Sequence, residues 1–153
     1  MENADVAGVL AEMASMTEVL GGNPFKVRAF RQAAQVVDTL PGPVSDLRQG
    51  GQLESLPGIG PRIAEKIGEI LDTGTCEEHV ELAAQVPIGV IELLRIEGLG
   101  PKTAQQLWKG LNVTDVRSLR EAISSGRIRE LPRMRPVRLQ GLTAALRRYQ
   151  VRG

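Results

Sequence analysis

Three observations predict an all-α protein of two small helical units built around helix-hairpin-helix motifs. First, aromatic residues make up only 3% of the 153 residues, and no stretch alternates apolar and polar positions with β-branched enrichment, so strands are not expected. Second, apolar residues recur at helical spacing in segments punctuated by glycine and proline. Third, one short pattern occurs three times. Leu56-Pro57-Gly58-Ile59-Gly60-Pro61 returns as Ile96-Glu97-Gly98-Leu99-Gly100-Pro101, and again without glycine as Leu131-Pro132-Arg133-Met134-Arg135-Pro136. Each copy is followed by a helical pattern, with Ile63, Ile67 and Ile70, then Thr103, Leu107 and Leu111, then Arg138, Leu142 and Ala145 at similar offsets.

Taken in order, Val6, Val9, Leu10, Met13, Val19 and Leu20 form a helical stripe that Gly21-Gly22 ends. Asn23 reads as the N-cap of a second helix with Pro24 at its first position, and the Pro-Gly-Pro at 41 to 43 closes it. A short helix around Ser45 to Arg48 leads through Gly50-Gly51 into the first hairpin, whose helix should end at Gly74. A further helix from Cys76 to Gln85 stops before Pro87. The expected division is therefore residues 1–86 with the first hairpin and residues 87–153 with the second hairpin and the arginine-rich third. Thr114 reads as the cap of the helix that begins near Val116, and Trp108 as a core residue.

The lone Cys76 can form no intrachain disulfide, and with His79 it falls far short of a zinc ligand set. No apolar run reaches the roughly 20 residues a spanning helix needs, so the expectation is a soluble, cytoplasmic protein without a membrane partner. The charges are segregated. Residues 1–90 carry six Lys/Arg against thirteen Asp/Glu, and residues 91–153 carry thirteen against five. Residues 127–153 alone hold eight arginines and one acid, Glu130. Such asymmetry suits contact with a polyanion, and arginine's planar fork suits phosphate, although a GC-rich genome gives the same arginine bias.

The hairpin supplies a mechanism. Glycines permit a tight turn with positive φ and close backbone approach, and proline opens the helix at a position whose N–H would be unpaired anyway. Free N–H groups then point outward at the positive end of the helix dipole, which attracts an anion. Nothing in the motif reads a base, so the expected partner is the phosphate backbone of DNA, held without sequence specificity by Gly58, Ile59, Gly60 and Arg62 with Lys26, and by Gly98, Leu99, Gly100 and Lys102. Two such sites hold phosphates on either side of a nick or gap through effective concentration. In the third copy, Arg133 and Arg135 replace the glycines, and with Arg138 they are expected to contact phosphate through their side chains; Arg127 and Arg129 belong to the same cluster, whereas Arg117 and Arg120 read as a solvated face. A turn connecting two helices, with no ligand, is the plain alternative for a single copy.

"NPFKVRAFRQAA", "LPGIGPRIAEKIGEILDTG", "VPIGVIELLRIEGLGPKTAQQLW" and a third hairpin after "SSGRIREL" stand in an order and spacing that resemble the N-terminal region of family X DNA polymerases, particularly the bacterial members, over about residues 10 to 149. The resemblance implies a fold like the DNA polymerase beta N-terminal domain, a role in DNA repair on gapped or nicked duplex, and association with the nucleoid. It also implies that each intact hairpin shares a monovalent cation, Na+ or K+, held by main-chain carbonyls of Glu54, Leu56 and Ile59, and of Leu94, Ile96 and Leu99, with no other cofactor required. Polymerisation is not expected within these residues, because there is no Gly-Ser dipeptide, no Asp-x-Asp and no sheet to carry a palm; the single histidine likewise leaves no phosphoesterase domain.

The resemblance further places a Schiff-base lysine at Lys66, which implies a 5′-deoxyribose phosphate or abasic-site lyase. Such an amine must be partly neutral to attack the sugar, and Arg62 and Lys26 are the positive charges expected beside it. The supporting positions are Phe25, Lys26, Phe30, Arg62 and, loosely aligned, Glu78, so that a hydroxyl and an imidazole are lost and an acid is gained. An ordinary solvated lysine at 66, with Phe25 and Phe30 as core residues, is the competing reading. A non-catalytic adaptor, docking a separate polymerase or ligase through its acidic half, is the third.

Overall fold

The computed structural model describes residues 1–132 and 134–149. Among them there is no strand, and the contacts divide the chain into two compact units, one of Met1–Gln85 and one beginning at Val86.

In the first unit, α1 (Asn3–Val19) buries Val6, Leu10, Met13, Met16 and Val19 completely and packs along α2 (Pro24–Asp38). The start of α2 is set locally: the Asn23 side chain accepts the Phe25 N–H at 2.9 Å, and Pro24 occupies the first turn. Val27, Phe30, Ala33, Ala34 and Val37 form its buried stripe. A crossing hydrogen bond ties Asn3 Oδ1 to the N–H of Val44, where α3 (Val44–Gln49) begins. The chain then makes a 3-10 turn at Leu53–Ser55, the first hairpin, α4 (Pro61–Thr73) and α5 (Glu77–Gln85). Gly74 closes α4 with φ 85°, a conformation glycine adopts without penalty. Ile59, Ile67 and Ile70 face the core, and Arg48 of α3 makes a bidentate ion pair with Asp72. Buried Cys76 lies 3.6 Å from the Met13 sulfur; desolvation pushes its thiol up. His79 is held by Thr75 Oγ1 at 2.6 Å and Glu12 Oε1 at 3.3 Å.

The second unit contains α6 (Ile88–Leu93), α7 (Pro101–Leu111), α8 (Val116–Ser124), a 3-10 turn at Arg127–Glu130 and α9 (Pro136–Arg148). Its core gathers Val90, Leu93, Ala104, Leu107, Val116, Leu119, Ala122, Ile128, Leu142 and Leu146. Gly89 is required by packing. A Cβ there would stand 1.9 Å from the Thr114 carbonyl oxygen. The cap of α8 differs from the sequence expectation: Asp115, not Thr114, takes the N-cap, its Oδ1 accepting the Ser118 N–H at 2.7 Å while Ser118 Oγ accepts the N–H groups of Thr114 and Asp115. An acid with serine three residues on forms a reciprocal box that a threonine one position earlier cannot reach. Trp108 is half-buried, with the Lys109 ammonium 3.9 Å from its ring centroid, so it is not a full core residue.

Candidate functional site

The three hairpins share one backbone plan. Leu56 donates its N–H to Leu53 O and Ile59 to Leu56 O; Ile96 donates to Leu93 O and Leu99 to Ile96 O; Leu131 donates to Ile128 O and Met134 to Leu131 O, all at 3.1 to 3.2 Å. Ile59, Leu99 and Met134 are buried at 3%, 3% and 8% exposure, so an apolar anchor in the same place pins each turn to its core. A proline opens the following helix in every copy.

The sequence assigned the two glycines of each intact copy a shared role, and the structure separates them. Gly58 and Gly98 have φ 75° and 85°, and they make the turn. Gly60 and Gly100 are the N-caps of α4 and α7 in extended backbone, at φ −86°, ψ −176° and φ −82°, ψ 169°, which any residue adopts. A Cβ at either would meet nothing within 4 Å. The space beside Gly60 and Gly100 is therefore open for a ligand to reach the main chain. The N–H groups of Gly60, Arg62 and Ile63, and of Gly100, Lys102 and Thr103, make no hydrogen bond among the described residues. They gather at the positive ends of α4 and α7, with the exposed side chains of Arg62 and Lys102 next to them. On the other side of each turn, the carbonyls of Glu54 and Ile59, and of Leu94 and Leu99, accept no hydrogen bond among the described residues, while those of Leu56 and Ile96 each take one from the turn. These are oxygen donors of the kind a monovalent cation takes.

Arg135 is the N-cap of α9 at φ −78° and ψ 158°, the conformation of Gly60 and Gly100, so at this position losing glycine causes no backbone strain. Arg133, the other replacement, lies outside the described residues. Two arginines of the expected cluster also serve the fold: Arg127 Nη2 donates to Leu111 O at 3.1 Å, at the end of α7, and Arg138 Nη2 donates to Thr103 Oγ1 at 2.6 Å. Arg120, read as solvated, reaches Leu146 O at 3.3 Å.

A second concavity, of about 670 Å³, lies within the first unit, lined by side chains of α2, α4 and α5 that include Lys26, Phe30, Arg62, Lys66 and Glu78. Lys66 meets an acid as well as the positive charges of Lys26 and Arg62, and that acid is the loosely aligned Glu78. Glu78 pairs with both amines, one carboxylate oxygen on Lys26 and the other 3.2 Å from Lys66 Nζ. Burial pushes the Glu78 carboxyl up, but hydrogen bonds and charge from the two lysines outweigh it and hold the group below the usual range. Phe30 is core at 2% exposure, whereas Phe25 is 72% exposed and carries the Arg28 guanidinium 4.7 Å from its ring centroid. In the first turn of α2, Phe25 projects beyond the core, which corrects its reading as an interior residue. No group of His, Cys, Asp and Glu among the described residues is arranged to hold a metal ion, and none of the helices there is long and apolar enough to cross a membrane.

Paired turns of this geometry define a class. Residues 1–76 match the model of a helix-hairpin-helix domain, and residues 90–148 that of a SAM-like helix-hairpin-helix tandem. Similar proteins include the DNA polymerase/3′-5′ exonuclease PolX of Bacillus subtilis (strain 168), 35% identical over 131 residues, which are 86% of this chain and 22% of that protein. The DNA-directed DNA/RNA polymerase mu of Homo sapiens is 33% identical over 109 residues, 70% of this chain and 21% of its own. DNA polymerase lambda of Rattus norvegicus is 34% identical over 88 residues, 57% of this chain and 14% of its own. The chain belongs to the helix-hairpin-helix proteins, and it carries the N-terminal helix-hairpin-helix region of the family X DNA polymerases. It spans about a fifth or less of the length of these relatives, 14 to 22%.

Proposed function

We propose that this protein binds the phosphate backbone of DNA without sequence specificity, gripping gapped or nicked duplex in DNA repair. The observation that carries this reading is the pair of open N-cap glycines, Gly60 and Gly100, each beside unpaired main-chain N–H groups and an exposed cation. Phosphate enters where a Cβ would otherwise stand, a Na+ or K+ ion on the hairpin carbonyls adds positive charge, and no side chain reads a base edge. Binding through four to six neutralised phosphates gives a slope of log K against log salt of about −4 to −5. Fluorescence anisotropy across a salt series checks this, with gapped duplex binding more tightly than intact duplex. A flat salt response, or no DNA binding at low salt, would instead favour a protein adaptor for a separately encoded polymerase or ligase.

The cleft favours a second reading, a 5′-deoxyribose phosphate or abasic-site lyase. Lys66 lines an open concavity together with Lys26 and Arg62. The Glu78 carboxylate paired with both lysines favours the charged amine, so in this reading the incoming 5′ phosphate and sugar displace it before the neutral amine attacks. Borohydride reduction on DNA bearing a 5′-deoxyribose phosphate traps a covalent adduct in this reading, and Lys66→Ala abolishes it. No adduct at near-neutral pH rejects lyase chemistry and leaves the binding function intact.

A further inference from the structure

We infer that the third hairpin is a second, chemically different DNA contact that selects unstacked bases, with Arg135 and Arg138 taking the flanking phosphates and Val137 packing on an exposed base face. The inference rests on the DNA-binding reading and goes beyond it. Arg135 adopts the backbone conformation of Gly60 and Gly100, and at those two positions a Cβ projects into empty space. In the third copy the Arg135 side chain therefore starts into the volume through which a phosphate reaches the main chain of the other two. The hairpin keeps its turn hydrogen bonds and its buried Met134 anchor, but its phosphate chemistry moves outward to a guanidinium.

The residue after the helix-opening proline has changed as well. Arg62 and Lys102 follow Pro61 and Pro101, whereas Val137 follows Pro136 and is 81% exposed. Val137 lines an open cleft of about 500 Å³ with Pro132, Arg135 and Arg138. An isolated exposed valine is ordinary, but here an apolar cluster lies between two arginines at the tip of a motif whose other copies place a cation at that point. The backbone of intact duplex offers such a tip only charge. Base faces are the apolar surface of DNA, and they are accessible where stacking is interrupted, at a gap or in a single strand. Arg138 is also tied to Thr103 in the first turn of α7, the turn that carries the free N–H groups of the second hairpin. A strand held there continues past Arg138 towards Arg135 and Val137.

The test uses the full chain with fluorescein-labelled duplexes of one sequence, either intact or carrying a short single-stranded gap. Val137→Ser weakens binding to the gapped duplex about fivefold, leaves intact-duplex affinity and the salt slope unchanged, and does not alter the melting temperature. Arg135→Ala makes the salt slope about one unit shallower on the gapped duplex. Equal weakening on both DNAs, or none, with Val137→Ser overturns the base contact, and an unchanged slope with Arg135→Ala overturns the phosphate contact. Gly100→Ala in parallel separates the two readings: if it weakens binding while the third-hairpin variants do not, only this inference falls; if none of the three matters, phosphate capture at the hairpins falls with it; and if the unaltered protein binds neither duplex at low salt, the DNA-binding reading itself falls.

Discussion

Gly100→Ala, alone and with Gly60→Ala, isolates the ligand's need for open space from the fold's need for glycine. Both residues sit in extended backbone with nothing within 4 Å of the added Cβ, so the folded state gains no clash. Alanine is a poorer N-cap than glycine, which costs up to about 1 kcal/mol, while the stiffer unfolded chain returns about 0.4 to 1 kcal/mol. The net stability change is therefore within about 1 kcal/mol, a shift of a few degrees at most. On the ligand side, the methyl group holds a phosphate oxygen away from the N–H cluster. A hydrogen bond to a charged group is worth about 1.5 to 3 kcal/mol, so each substitution lowers DNA affinity by roughly ten- to a hundredfold. Gly58→Ala is the contrasting control. Its φ of 75° costs alanine about 1 to 2 kcal/mol. Its Cβ would meet only the mobile end of the Gln32 side chain, which can swing aside, so the backbone strain is what makes this variant lose stability as well as binding. Anisotropy at fixed low salt, paired with thermal melts, gives both quantities. Full DNA affinity in a folded Gly60→Ala/Gly100→Ala protein would refute phosphate approach to the main chain.

Two further outcomes follow from the packing and the electrostatics. Gly89→Ala forces a Cβ to within 1.9 Å of a backbone carbonyl, and such overpacking costs about 1 to 3 kcal/mol; a melt of the full chain records a loss confined to the unit that begins at Val86, while hydrogen exchange in residues 1–85 is unchanged. Glu78 is held below its ordinary value by Lys26 and Lys66, so its contribution to stability is present above the unfolded glutamate value of about 4.3 and is lost as pH falls through the lower folded value; Glu78→Gln removes that part of the acid dependence, visible as a shallower loss of stability between about pH 5 and 3.

The hairpins were legible in the sequence because their signals are local. Glycine at a positive-φ turn, proline at the first helical position and an apolar residue between them each constrain the backbone within a few residues, as do Asn23-Pro24 and Gly74 at other helix ends. Features that depend on how helices pack were not legible. Gly89 looks like an unfavourable helix residue until the Thr114 carbonyl is placed against it. Phe25 and Phe30 share one helix and similar chemistry, yet only Phe30 is buried, because Phe25 falls in the first turn, beyond the end of the buried stripe. Glu78 could be aligned only loosely, since its approach to Lys26 and Lys66 depends on how α5 returns past α2 and α4. A useful signal was present for Asp115: an acid followed three residues later by serine outranks a preceding threonine as a helix cap.

Comparison of the three copies shows that the turn and its chemistry are set by different residues. The turn hydrogen bonds recur with Leu53, Leu56 and Ile59, with Leu93, Ile96 and Leu99, and with Ile128, Leu131 and Met134. In each set the last residue is buried, so what the copies share is an apolar ladder, one rung every third residue, docked on a core. The N-cap position faces away from that core and carries little of the turn's stability, because extended backbone accommodates glycine and arginine alike. Substitution there can exchange a main-chain phosphate site for a side-chain one while the ladder holds the fold. A repeated motif can in this way diverge at its surface with its interior conserved in kind, and Arg135 and Val137 stand on the same scaffold as Gly60 and Arg62.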